Sequence, residues 1–259
     1  MAKTYGKPPY QTFLIHGGPG AAGEMAGVAD YLSQRIGVVE SFQTRLTINE
    51  LILELKRDIE DCGSGPVCLV GYSWGAWLSY IFTASYPDLV RKLILVGSGP
   101  FEQEYAKDLW AIRLARLNEQ DRQRVRELEA DLEKSGPDMN EILRQYGNIL
   151  VKSDVFNPLP CDDNEVKVDL NIFQYIWKEA SELRLSGELL KLGSKIVCPV
   201  IAIHGLHDPH PYSGVIQPLS AVLQDFRYHL LEHCGHTPWK ERMAKDHFYR
   251  LLFAELSEK

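Results

Sequence analysis

Short runs rich in apolar residues alternate along the chain with stretches whose apolar residues recur every three or four positions. The runs fall at 11–15, 36–39, 66–70, 93–96, 200–203 and 226–231. Those at 66–70, 93–96 and 200–203 are almost wholly apolar and predict strands buried on both faces; the others are read as further strands of the same rhythm. The periodic stretches predict helices. One covers about 25–35, with Val28, Leu32 and Ile36 at i, i+4 and i+8. Another starts at Thr47, an N-cap with Glu50 three residues on, and carries Leu51, Leu55 and Ile59 on one face to near Gly63. A third runs from Gly75 to about Tyr86 and stops at Pro87, and a last one covers about 244–256. This rhythm predicts an α/β fold: a mostly parallel sheet covered by helices on both faces.

Between residues 101 and 191 the rhythm breaks. The segment reads as helical and highly charged, with an apolar stripe at Val125, Leu128 and Leu132 and prolines at 137, 158 and 160. The run 122–134 reads as a solvated helix face, and Trp110, Phe173, Tyr175 and Trp177 as core. The expected organisation is a core of residues 1–100 and 192–259, with 101–191 inserted as a helical cap.

Composition narrows the function. Of 259 residues 45% are hydrophobic and 24% charged, which is ordinary for a globular chain. The net charge is −7 and no basic block occurs, so neither a nucleic acid nor an anionic membrane is an expected partner. No apolar run reaches the ~18 residues of a membrane span, and the first ten residues lack a signal-peptide core. The five cysteines (62, 68, 161, 198 and 234) form no CxxC pair. That argues against a disulfide framework or a structural zinc site and predicts a cytoplasmic protein.

Candidate chemistry lies at the ends of the predicted strands. Gly71-Tyr72-Ser73-Trp74-Gly75 joins a buried strand to a helix. That context suits a nucleophilic serine on a sharp turn, beside a helix N-terminus that favours developing negative charge. His16-Gly17-Gly18-Pro19-Gly20 follows the first strand and reads as a loop shaped for backbone N–H donation. The N–H groups of Trp74 and Gly18, with Gly17 as the lesser choice, are the expected oxyanion donors. A serine nucleophile needs a base, and the base an orienting acid. The loops 204–211 and 233–238 supply both. Asp208 is taken as acid and His236 as base, since Gly235 places His236 at a loop tip. Glu232 and Asp225 are rival acids; His207, His210 and His233 are rival bases. His204, His207, Asp208 and His210 superficially look like metal ligands, but prolines 209 and 211 work against their convergence, and they are read as solvated loop residues. Cys234 is read as packing. No metal and no cofactor is expected.

Together these residues resemble the α/β-hydrolase superfamily over nearly the whole chain. The order Ser73, Asp208, His236 is that superfamily's order. The HGGPG loop and the tryptophan after the serine are similar to the proline iminopeptidase branch. Two features depart from that branch: residues 39–45 (Val-Glu-Ser-Phe-Gln-Thr-Arg) lack its glycine-containing Asp-x-Arg-Gly segment, and only about ten residues precede the first strong strand, where the branch has a β-hairpin. The resemblance implies a hydrolase acting on a small-molecule ester or amide. An aminopeptidase is the narrower alternative. A noncatalytic receptor or a lyase on the same fold are the others.

Overall fold

The structure is a computed structural model that describes residues 2–134, 136–160 and 166–258. In chain order its strands and α-helices are β1 (Ala2–Tyr5), β2 (Tyr10–Ile15), α1 (Ala26–Ser33), β3 (Gly37–Ser41), α2 (Ile48–Cys62), β4 (Val67–Tyr72), α3 (Trp74–Ser85) and β5 (Val90–Val96). Five helices follow: α4 (Leu109–Arg116), α5 (Glu119–Leu132), α6 (Met139–Asp154), α7 (Leu170–Leu185) and α8 (Glu188–Lys191). The chain then returns through β6 (Val200–Gly205), α9 (Ser213–Val222), β7 (Phe226–Leu231) and α10 (Lys245–Ser257).

The seven strands form one sheet in the order β1-β3-β2-β4-β5-β6-β7. Every pairing is parallel except β1 with β3. Alternate residues of each central strand enter two separate cores, because side chains on a strand alternate faces. Phe13, Leu69, Leu93, Leu95 and Ala202 pack with α2, α3, α7 and α9. Leu14, Val70, Ile94, Val96 and Ile203 pack with α1 and α10. Both faces of β4, β5 and β6 are covered, which explains their apolar sequences, whereas the edge strand β7 is mostly exposed or half-buried.

Register decides where the chemistry gathers. Ile15 pairs with Gly71, Tyr72 with Val96, and Gly205 with Leu231. The carboxyl ends of β2, β4, β6 and β7 therefore lie along one edge, and the loops that follow them share it.

The expected helices stand where the periodicity placed them. The Thr47 hydroxyl accepts from the Glu50 N–H at 3.2 Å and donates to its carboxylate at 2.8 Å. Strand β1 was not anticipated: Ala-Lys-Thr-Tyr has no apolar pattern, and its middle residues are exposed. It is held by antiparallel pairing to β3, an edge position that demands little of its side chains. Among the described residues, five α-helices lie between β5 and β6, with Val125 and Leu128 buried and Leu132 half-buried. The aromatic residues there do not all meet the expectation of core positions. Tyr175 and Trp177 are exposed at 58% and 38%, and Trp110 is only half-buried. They lie on helices laid over the sheet domain rather than inside it.

Candidate functional site

Ser73 sits between β4 and α3 at φ 53°, ψ −119°, a strained conformation for a residue with a side chain. The flanking glycines make the turn possible. A methyl group on Gly75 would collide with the carbonyls of Ile15 and His16; one on Gly71 would collide with the carbonyl of Gly75. The serine is thus pushed clear of the sheet while its turn packs against the end of β2.

A continuous hydrogen-bonded chain leads away from Ser73. Its Oγ lies 3.0 Å from Nε2 of His236. Nδ1 of His236 lies 2.7 Å from Oδ2 of Asp208. The Asp208 carboxylate also accepts from the backbone N–H and Nδ1 of His210, each at 2.9 Å. Asp208 and His236 are buried, at 7% and 6% exposure.

Burial and charge set the protonation states. Burial lowers the pKa of His236, but the adjacent Asp208 carboxylate outweighs it, so the net shift is upward from 6.5. Burial alone would raise the pKa of Asp208, yet His236, His210 and His204 hold it well below the usual 3.8. Desolvation brings His210 down to about 4, against the pull of Asp208. His236 is thus the basic imidazole of the set and Asp208 its ionised partner.

The rivals fall elsewhere. Glu232, Asp225 and His233 are exposed and His207 is half-buried; His207 and His233 ring-pack on Phe156. His204 and His210 correct the expectation of solvated loop histidines, being 1% and 8% exposed. His204 Nε2 lies 2.9 Å from the carbonyl of His210, so it donates there and closes the loop on itself. His210 lies over His236 with ring centroids 4.5 Å apart. Asp208, His210 and His236 cluster closely enough to offer ligand atoms to a metal ion. Their contacts of 2.7–2.9 Å are hydrogen bonds, however, which occupy the carboxylate oxygens. Cys234 is buried, and burial raises its thiol pKa, so its packing role holds. The described cysteines 62, 68, 198 and 234 are free thiols; Cys161 lies outside the described residues.

The glycine loop is held from behind. Nδ1 of His16 lies 2.8 Å from the Gly17 carbonyl and Nε2 accepts from the N–H of Gln43 at 3.2 Å. The Gln43 amide donates to the His16 carbonyl at 2.9 Å and accepts from the Trp74 indole at 2.7 Å. The departing segment 39–45 therefore supplies Gln43, which ties the glycine loop to the residue after Ser73. Gly18 has φ +30°, and the Trp74 N–H opens α3, where no intrahelical acceptor exists.

Three further residues escaped the sequence reading. Asp154, at the end of α6, takes the His236 N–H on its carbonyl at 2.7 Å. Its carboxylate is gripped by Arg113 through two hydrogen bonds of 2.8 and 2.6 Å. Glu241 is fully buried and accepts the N–H groups of Gly235, Phe156 and Asn157 at 2.7–2.8 Å. All three are charged residues in charge-rich surroundings, and no local pattern marks them. Glu241→Ala would leave these donors unpaired, at about 1–3 kcal/mol each. The thermal midpoint should fall by about 10 °C. Calorimetry checks this, and a change under roughly 2 °C would show that water replaces the carboxylate.

Two spaces border the site. A slot of about 20 Å³ is lined by Ser73, Trp74, Trp77, Trp177, Arg184 and His210, among others. A larger chamber of about 470 Å³ lies beside Gly18 and Pro19, walled by Leu143, Val151, Val168 and Phe173.

The sequence matches the profile of the Alpha/beta hydrolase family over residues 13–246. Solved structures similar to the chain include the epoxide hydrolase of Bacillus megaterium in complex with an inhibitor: 17% identity, TM-score 0.67, covering 100% of this chain and 96% of that one. VinJ matches at 18% identity and TM-score 0.67, over 98% and 93%. An N-acyl homoserine lactone degrading enzyme matches at 14% and 0.64, over 98% and 95%. At these identities the likeness is one of fold. No helix among the described residues is long and apolar enough to cross a membrane.

Proposed function

For a chain that belongs to the alpha/beta hydrolase family, we propose a cytoplasmic serine hydrolase that cleaves a small carboxylic ester through an acyl-enzyme intermediate. The observation that carries this reading is the unbroken chain Ser73 Oγ–His236 Nε2–Asp208, at 3.0 and 2.7 Å. Ser73 Oγ attacks the ester carbonyl carbon and passes its proton to His236 Nε2. The Trp74 and Gly18 N–H groups receive the charge on the carbonyl oxygen. The intermediate collapses and breaks the bond to the alcohol oxygen, which takes the proton from His236. Water, deprotonated by His236, then attacks the acyl-serine; the Ser73 oxygen leaves and recovers its proton. Asp208 holds the tautomer with hydrogen on Nδ1 and stabilises the imidazolium. Residues 101–191 act as a cap that closes over the serine. The chemistry uses no metal or cofactor.

A fluorophosphonate probe tests the nucleophile. One adduct on Ser73, found by peptide mass and absent in Ser73→Ala, is expected. No adduct, or one on another residue, would overturn the assignment. A panel of p-nitrophenyl esters and amino-acid p-nitroanilides then separates chemistries. Ester turnover is expected; turnover confined to free-amine anilides would establish an aminopeptidase instead.

A further inference from the structure

Arg184 is the unexplained charge at this site. It lines the slot that contains Ser73, Trp77, Trp177 and His210. On α7 it lies seven residues beyond Trp177, two turns on and on the same helix face. Trp177 stacks on Trp77 at 6.0 Å with the planes 3° apart, and the Arg184 guanidinium lies 5.4 Å from the Trp77 ring centroid. Its Nε donates to the Gln103 side chain at 3.0 Å. No carboxylate pairs with it among the described residues.

The contrast with Arg113 is informative. Arg113 is gripped by Asp154, which raises its pKa against the effect of burial. For Arg184 burial acts alone and lowers the pKa. A half-buried guanidinium without an acid gives up hydration and regains little, since one amide contact and one ring face do not replace a counterion. The chain as a whole carries −7, so acids to pair with it are not scarce. The slot is lined by a cation, aromatic planes and the nucleophile, and it is small.

Resting on the proposed serine hydrolase reading, we propose that Arg184 binds a carboxylate on the acyl side of the substrate, so that the preferred substrates are half-esters of short dicarboxylic acids. A guanidinium recognises a carboxylate through paired N–H donors. At about 20 Å³ the slot holds roughly one water at rest, so it must widen to admit even a short acyl group and disfavours a long chain. The alcohol portion is left to the 470 Å³ chamber beside Gly18, whose wall is mostly apolar but also carries Glu24, Arg144 and Lys240.

The test compares butanol release from monobutyl glutarate with that from butyl methyl glutarate, in which the carboxylate is capped. The wild type should prefer the charged ester by roughly 10-fold or more in kcat/KM, the range of a charge-assisted hydrogen bond. Arg184→Met should collapse that ratio toward one, mainly by raising KM for the charged ester; Arg184→Lys should retain part of it. A ratio near one in the wild type, or one unchanged in Arg184→Met, overturns the inference. If neither ester turns over, fluorophosphonate labelling of Ser73 supplies the readout. Glutarate, and not glutaramide, should slow labelling of the wild type and leave Arg184→Met unaffected. Equal indifference to both overturns the Arg184 assignment while Ser73 stands. Absence of labelling in the wild type overturns the nucleophile assignment, and this inference with it.

Discussion

Ser73→Ala is expected to reduce ester turnover by about 10⁴- to 10⁶-fold, the loss seen when a serine acting with a histidine base is removed. The magnitude follows from what the hydroxyl does here. It is aimed at His236 Nε2 from 3.0 Å and stands on a turn whose neighbours leave no alternative route for the chain. Helix α3, the glycine loop and the Gln43 contacts remain when the hydroxyl goes. The thermal midpoint should therefore move by no more than about 4 °C, since a single part-exposed hydrogen bond contributes about 1 kcal/mol. Steady-state turnover beside calorimetry checks both numbers. A variant that folds and keeps more than about a hundredth of the activity would mean that another group, or water activated directly by His236, performs the attack.

Asp208→Asn should cost about 10⁴-fold in turnover, with a displaced pH profile. In the wild type both ring hydrogens nearest Asp208 point at it: Nδ1–H of His236 and Nδ1–H of His210. An amide in its place offers an N–H to one of them and forces the other tautomer. His236 would then carry its hydrogen on Nε2, where it cannot accept from Ser73. The pH dependence has a definite sign. On the proposed mechanism the working base is neutral His236, so kcat/KM should rise with pH through a pKa that lies above 6.5 because of Asp208. Asp154 adds to the upward shift and Arg113 opposes it. Loss of the carboxylate removes the main upward cause, so the acid limb of the residual activity should move to lower pH. His210, already down at about 4, adds no limb near neutrality. A profile from about pH 5 to pH 9 for both proteins checks this. An acid limb in the same place for both would show that Asp208 does not set the base.

Much of the sheet was legible because burial on both faces leaves a local trace. Leu93-Ile94-Leu95-Val96 can hardly be anything but a doubly covered strand once a glycine ends it, and the structure buries all four completely. The serine turn was legible for a related reason. Glycines at 71 and 75 are demanded by backbone crowding, and crowding of that kind is written in the residues themselves. The burial of the histidine run 204–210 leaves no mark in the sequence, because nothing local says which way a loop folds. Its burial comes from the approach of the β7 loop and from the His204 bond to the His210 carbonyl. Gln43, Asp154 and Glu241 were silent for the same reason, as each acts on a backbone far from it in sequence.

The sequence by itself determined the alternation of strands and helices and the turn that presents Ser73. These depend on side-chain periodicity and on steric limits between near neighbours. Only the tertiary structure decided which acid and histidine meet that serine, what holds their loops, and which charge stands beside it. Those outcomes depend on strand register, which brings Gly71, Gly205 and Leu231 to one edge of the sheet. They depend equally on helices α6 and α7 lying over that edge. Long-range contact between buried polar groups has no period in a sequence, because its geometry is fixed only when the two segments pack.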